Sequence, residues 1–336
     1  MEDSITIVLD SGALLSGVCG ANDGNLKAIE GSLGGRIAAR GNEIRLEGAG
    51  EAGIQRFKAM MDNLIAVVRE GETPSPEYVR ALAGSLVSGG PAEPFPGEAA
   101  SGFPAAPGEA TPLMDAVIRI PHGFARVYPR SKNQAAYIRG MRSCDISFCV
   151  GPAGTGKTWL AVAEALRLVL SKKMRKLVLT RPVVEAGENL GFLPGDLTQK
   201  ISPYLRPLYD AMESLIPYEV IRRMEETRVI EIAPLAYMRG RSLNDCVVIL
   251  DEAQNTTKEQ MKMFLTRIGE GARAVVTGDT TQIDLPRRVD SGLLHAVKIL
   301  SGVEGIFFAF LHTADVVRNP LIKKIIQAYD DHEKKD

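Results

Sequence analysis

Residues 146–158 read Ile146-Ser147-Phe148-Cys149-Val150-Gly151-Pro152-Ala153-Gly154-Thr155-Gly156-Lys157-Thr158, and an apolar-periodic stretch to Leu170 follows. The octapeptide Gly151–Thr158 fits G-x-x-x-x-G-K-[ST] in full, and it stands where that pattern belongs, between a strand and a helix. The chemistry requires these residue types. Gly151, Gly154 and Gly156, with Pro152, Ala153 and Thr155 between them, let the backbone bend until successive N–H groups converge on phosphate oxygens. The start of the helix adds its dipole. Lys157 reaches β- and γ-phosphates, and the Thr158 hydroxyl is placed to ligate Mg²⁺. ATP and Mg²⁺ are the expected ligands.

Outward from this stretch, strand-like runs alternate with helical ones. The strands are expected at Lys176–Thr180, Arg228–Ile232, Cys246–Leu250, Arg273–Thr277 and Ile306–Leu311, and further helices at Thr257–Ile268 and Ser291–Leu300. Short apolar strands between helices predict an α/β fold, a mostly parallel sheet with helices on both faces. Ligands of such sheets lie beyond the carboxyl ends of the strands. The run Val247-Val248-Ile249-Leu250 ends in Asp251-Glu252. Asp251 is suited to hold Mg²⁺ through water, and Glu252 to act as general base on the attacking water. A third strand ends in Thr277-Gly278-Asp279-Thr280-Thr281-Gln282, which places Gln282 to sense the γ-phosphate or its water.

The 336 residues divide by composition. Residues 1–83 hold 8 basic and 12 acidic side chains, and 84–115 hold four acids and no base in an Ala/Gly/Pro-rich run. That run reads as a linker. It separates a small α+β domain (1–83) from a large one (116–336). In the small domain Ile5–Leu9 reads as a strand, Asn25–Leu33 as a helix, and Arg36–Arg40 and Glu43–Leu46 as a hairpin about Gly41-Asn42. Ile54, Phe57, Met60, Met61, Leu64, Ile65 and Val68 form one apolar helical stripe, fit to cover a three-stranded sheet.

Forty basic against 41 acidic residues give a net charge of −1, so any nucleic-acid site is a local patch rather than a global field. Cys19, Cys144, Cys149 and Cys246 show no ligand spacing, and His122, His295, His312 and His332 are scattered, so neither zinc nor a disulfide framework is expected. Cys149 and Cys246 fall on apolar strands and read as buried thiols, which suits a reducing cytoplasm. No apolar run approaches 18 residues and the N-terminus lacks a basic leader, so neither a membrane span nor a signal peptide is expected.

Five stretches together resemble the PhoH family of bacterial ATPases. They are G-P-A-G-T-G-K-T (151–158), R-P-V-V-E-A-G-E-N-L-G-F-L-P-G-D (181–196), A-P-L-A-Y-M-R-G-R-S-L-N-D (233–245), I-L-D-E-A-Q-N-T-T (249–257) and G-D-T-T-Q-I-D-L-P-R (278–287). The resemblance runs from about Arg126 to Tyr329. It implies a P-loop NTPase core of the RecA-like kind, similar to one core of superfamily 1 helicases, with ATP hydrolysis, RNA or an RNA-processing protein as partner, and a homo-oligomer that can be a ring. It also implies that Ser131-Lys132-Asn133-Gln134 is similar to a helicase Q motif, with Gln134 reading adenine. Residues 1–70 are similar, more weakly, to a KH-type RNA-binding domain. The nearest counterpart of its G-x-x-G loop is Gly20-Ala21-Asn22-Asp23-Gly24, one residue longer and acidic, and the net charge of 1–83 opposes phosphate contact.

Several arginines remain as candidates. Arg181 is placed either to touch nucleic acid or to pair with Glu185 or Glu188. Arg239 and Arg241 fit a nucleic-acid or inter-subunit role, or a surface loop pinned by ion pairs. A single RecA-like core lacks the arginine that a second core brings, so Arg318, after the last strand, is expected either to serve as a finger in a neighbouring copy, with Arg287 and Arg288 as rivals, or to pair structurally with Asp315.

Overall fold

The computed structural model describes residues 4–69, 71, 73–87, 113–182, 197–286 and 288–316. The chain groups into two compact units. Among the described residues, one runs over 4–87, 113–117 and 128–135, and the other over 118–127 and from 136 onwards.

In the first unit β1 (Ser4–Val8), β2 (Arg36–Arg40) and β3 (Glu43–Glu47) form an antiparallel sheet in the order β1-β3-β2. Ile44 and Leu46 alternate inward from β3. Helix α1 (Gly12–Cys19) starts at Ser11, whose hydroxyl accepts from Leu14 N at 3.2 Å. Helix α2 (Gly24–Leu33) follows, and α3 (Gly50–Arg69) carries the apolar stripe. Phe57, Met60, Met61 and Leu64 of that stripe are fully buried. Helix α4 (Pro76–Val87) extends four residues into the stretch read as linker. Residues 128–135, which the sequence assigns to the large domain, group instead with this unit. The Tyr128 ring lies 5.7 Å from Tyr78, and a Cβ at Gly84 would stand 2.9 Å from the Arg130 carbonyl.

In the second unit a two-residue pair, β4 (Ile118–Arg119) and β5 (Arg126–Val127), precedes α5 (Lys132–Ser143), whose first turn groups with the first unit. The main sheet contains β6 (Ile146–Val150), β7 (Lys176–Arg181), β8 (Ile230–Pro234), β9 (Cys246–Leu250), β10 (Arg273–Gly278) and β11 (Ile306–Phe310). Every pairing is parallel, in the order β11-β6-β10-β9-β7-β8. Helices α6 (Lys157–Leu170), α7 (Leu197–Glu213), α8 (Tyr218–Glu226), α9 (Lys258–Leu265) and α10 (Gly292–Leu300) flank it. This is the expected P-loop architecture.

Strand β9 is buried at all five positions, as its unbroken apolar run requires in a sheet covered on both faces. Cys149 and Cys246 lie in this core. Burial pushes the Cys149 thiol up, and the Cys246 thiol up to about 11. Phe148 and Phe308 stack at 4.6 Å and tie β6 to β11. Because β10 lies between β6 and β9, three strand ends open side by side at one edge. Among the described residues no helix is long and apolar enough to cross a membrane.

Candidate nucleotide site

The loop between β6 and α6 is shaped by glycine. Gly156 has φ 84°, a left-handed conformation that residues with a Cβ rarely adopt, and it caps α6 with no side-chain hydrogen bond. The first N–H groups of α6 are thus left for an anion. Gly151 is held for another reason: a Cβ there would stand 2.4 Å from the Leu311 carbonyl oxygen. Thr155 Oγ1 donates to the Pro152 carbonyl at 2.8 Å and closes the turn. The Lys157 ammonium donates to the carbonyls of Gly151 (2.6 Å) and Pro152 (2.9 Å), so it lies over the cradle it is expected to serve.

Asp251 stands just past β9, with its N–H on the Thr180 carbonyl at 2.9 Å. It is 2% exposed, and all its bonds are to site neighbours. Oδ1 accepts from Thr158 Oγ1 and Thr277 Oγ1, each at 2.6 Å. Oδ2 accepts from Arg181 Nε at 2.7 Å and from a second guanidinium nitrogen. Glu252 follows at φ 55°, a strained backbone for a residue with a long side chain, and such strain persists where the surroundings enforce it. Its Oε2 accepts from Gln254 Nε2 at 2.6 Å, and its Oε1 lies 3.5 Å from Arg181.

Gln254 organises the third strand end. It is 1% exposed. Besides Glu252, its Nε2 reaches the Gln282 carbonyl at 3.1 Å, and its Oε1 accepts from Asp279 N at 2.9 Å. One buried amide thus couples the general-base candidate to the 279–282 loop. Asp279 Oδ1 accepts from Thr281 N and Oγ1 (2.9 and 2.6 Å), while its buried Oδ2 has no partner among the described residues.

These groups surround a cleft of about 270 Å³, lined by Ala153, Gly154, Gly156, Lys157, Thr158, Trp159, Asp251, Glu252, Gly278, Asp279 and Gln282. The residues fit magnesium held by a triphosphate. A hydroxyl and a carboxylate meet at 2.6 Å, oxygen ligands of the kind Mg²⁺ shares with phosphates and water. The orphaned Asp279 Oδ2 is an acceptor that a metal-held water would satisfy.

The cleft therefore gathers Lys157, Thr158, Asp251, Glu252 and Gln282, as expected from the sequence. It also draws in Arg181, through Asp251 and Glu252; Glu185 and Glu188, the partners named for it from the sequence, lie outside the described residues. Trp159, Gln254, Thr277 and Asp279 are site residues that motif reading passed over. The signal for Thr277 was its place at the end of the strand beside Asp251, and for Trp159 its place next to Lys157-Thr158. Gln134 is in the first unit; it is 2% exposed, with its Oε1 on Arg130 N at 2.7 Å. Arg318 and Arg287 lie outside the described residues, and Arg288 is exposed.

Arg241 takes the ion-pair role. Its two terminal nitrogens meet the Glu231 oxygens at 2.5 and 3.0 Å, and Lys176 joins from the other side. The Arg241 hydrogen bonds, then Lys176, hold the Glu231 carboxyl at about 2, below the usual 4.5. With the folded value the lower one, the stabilisation is whole above pH 4.5 and is lost as pH falls towards 2. Glu231→Gln is expected to lower stability at pH 7 by about 1 kcal/mol, discounted for partial exposure. Denaturant unfolding of both proteins should show this gap closing between pH 4.5 and 2; a gap independent of pH would mean the cluster acts through packing alone.

The family model for PhoH-like protein matches residues 126–330. The chain is 45% identical to a PhoH-like protein of Mycobacterium tuberculosis, over 95% of this chain and 86% of the relative. It is 44% identical to one of Bacillus subtilis, over 93% and 92%. It is 42% identical to Protein PhoH of Escherichia coli, over 60% and 58%. Among solved structures, Pif1 helicase from Candida albicans superposes with a TM-score of 0.33 at 16% identity, over 59% of this chain and 42% of that one. A model match across most of the second unit and more than four-tenths identity along nearly the whole length place this nucleotide-binding P-loop chain in the PhoH-like protein family.

Proposed function

We propose that the protein hydrolyses ATP with Mg²⁺ and couples turnover to RNA or to an RNA-processing protein. The observation that carries this reading is the meeting in one cleft of the Lys157 cradle with the Asp251–Glu252 pair. Bound there, the metal would offset the charge of the phosphates. The chain's own groups do the rest. Loop and helix N–H groups hold the phosphates, Lys157 exchanges its loop carbonyls for phosphate oxygens, and Thr158 and Asp251 would hold the metal. Glu252, oriented by Gln254, takes the proton of the attacking water, and Gln282 borders its path.

Support for the RNA half comes from a groove of about 380 Å³ near α9. Arg239, Lys262 and Arg267 line it, and none makes a side-chain hydrogen bond or ion pair among the described residues. Glu259 also lines it, with its carboxylate engaged by the Thr257 hydroxyl at 2.9 Å. Tyr237, 52% exposed, is two residues from Arg239 and offers a ring for base stacking. Unpaired cations beside an exposed ring are a footprint for single-stranded RNA.

The test is steady-state ATPase activity with and without single-stranded RNA, in wild type and in the Arg239→Ala/Lys262→Ala double variant. RNA should stimulate the wild type. The variant should keep its RNA-free rate, need several-fold more RNA, and show a salt dependence shallower by about 1.5 in log–log slope. No stimulation of the wild type would favour a nucleotide-gated scaffold with little turnover. An unchanged RNA requirement in the variant would clear this groove.

A further inference from the structure

We propose that Trp159 is the platform on which the purine base of the nucleotide stacks. The inference rests on the reading of the cleft as a nucleoside-triphosphate site, and it adds what selects the nucleoside.

Trp159 is the one tryptophan of the chain and directly follows Lys157-Thr158 in the first turn of α6. It lines the phosphate cleft and keeps 36% of its surface exposed. A cleft of about 270 Å³, edged by a lysine, hydroxyls and carboxylates, suits a triphosphate and its metal. That volume is small beside the ~300–1,000 Å³ of sites that enclose a whole organic ligand. The base must then project past the mouth, and Trp159 is the aromatic side chain in the cleft lining.

The ring is also fixed in place. Its Nε1 donates to Ser214 Oγ at 2.8 Å, and Ser214 in turn donates to the Ala211 carbonyl at 2.7 Å. The serine proton is committed to that carbonyl, so a lone pair faces the indole. The polar edge of the ring is satisfied by this bond and the apolar face needs no partner of its own, a division suited to stacking. A pinned ring loses little freedom when a base lies on it. Stacking tolerates any flat base but is strongest for the larger purines, so the site favours ATP and GTP over CTP and UTP, leaving the choice between purines to other groups.

Because Trp159 is the one tryptophan, its fluorescence, excited at the red edge where tyrosine does not absorb, reads the contact directly. Titration of the full chain with ATP, GTP, CTP and inorganic triphosphate, all with Mg²⁺, should give strong quenching by the purine nucleotides and little by triphosphate. Calorimetric titration of Trp159→Ala should show ATP affinity reduced roughly 10-fold or more, as base–aromatic contacts are worth. Triphosphate affinity should stay within two-fold, and Trp159→Tyr should restore ATP binding. Equal loss of ATP and triphosphate binding in Trp159→Ala would mean that the residue only supports the helix, and equal quenching by triphosphate would mean that it senses the loop and not the base. Either result overturns the proposal. Failure of triphosphate to bind the wild type would instead remove the phosphate-site reading.

Discussion

Replacing Glu252 with glutamine is expected to leave ATP bound and to slow its hydrolysis by ~10²–10⁴, the worth of a positioned general base. The substitution keeps length and shape, and an amide oxygen can still accept from Gln254 Nε2, now at 2.6 Å from the carboxylate. The left-handed backbone at position 252 is unaltered, since both side chains strain it alike. What is lost is the group that takes the proton. Phosphate release should fall while nucleotide affinity, read by calorimetry, stays within a few-fold. A drop in turnover of less than about ten-fold would assign Glu252 to holding the 279–282 loop and leave activation of the water to another group.

Lys157→Ala should act earlier, on binding itself. The ammonium is the cation of the phosphate loop and is nine-tenths buried, so no other side chain of the loop replaces it. Charge-assisted hydrogen bonds to two phosphate oxygens are together worth about 3 kcal/mol or more, or at least 100-fold in affinity. The variant also leaves the Gly151 carbonyl without its lysine donor, while the Pro152 carbonyl keeps the Thr155 hydroxyl. A thermal melt must therefore accompany the binding assay. A folded variant with wild-type affinity and turnover would end the ATPase reading.

Much of this site was legible because its signals are local. Strand β6 and helix α6 run over Ile146–Val150 and Lys157–Leu170 as the pattern indicates. Strand, glycine turn, Lys-Thr pair and helix all occur within 25 residues, each on its own periodicity. Helix α7 was not legible, because Pro203 and Pro207 fall inside it and proline ordinarily ends a helical pattern. Strand β8 begins two residues later than its apolar run suggests, since Arg228 takes a left-handed turn, φ 58°, after α8. Expected helix Thr257–Ile268 is shorter at both ends, with Thr257 serving as its cap.

The parts of the site that escaped notice depend on strand order. Gln254 bonds across to residues 279 and 282 because β10 is inserted between β6 and β9, an arrangement no single stretch of sequence encodes. Arg181 reaches Asp251, 70 positions away, because β7 borders β9 with Thr180 opposite Leu250. From sequence its nearby glutamates were the natural partners to name.

That arginine gives the cleft a property its motifs do not carry. Lys157 and Arg181 match Asp251 and Glu252 in charge, so these four groups form a neutral set before any nucleotide arrives. A divalent ion that takes Asp251 Oδ2 has to evict the guanidinium, which makes loading an exchange of one cation for another. Filling Oδ2 at the edge of β9 would thus shift the Arg181 charge towards Glu252 at the end of β7, so that ligand entry at one strand would be announced at the next.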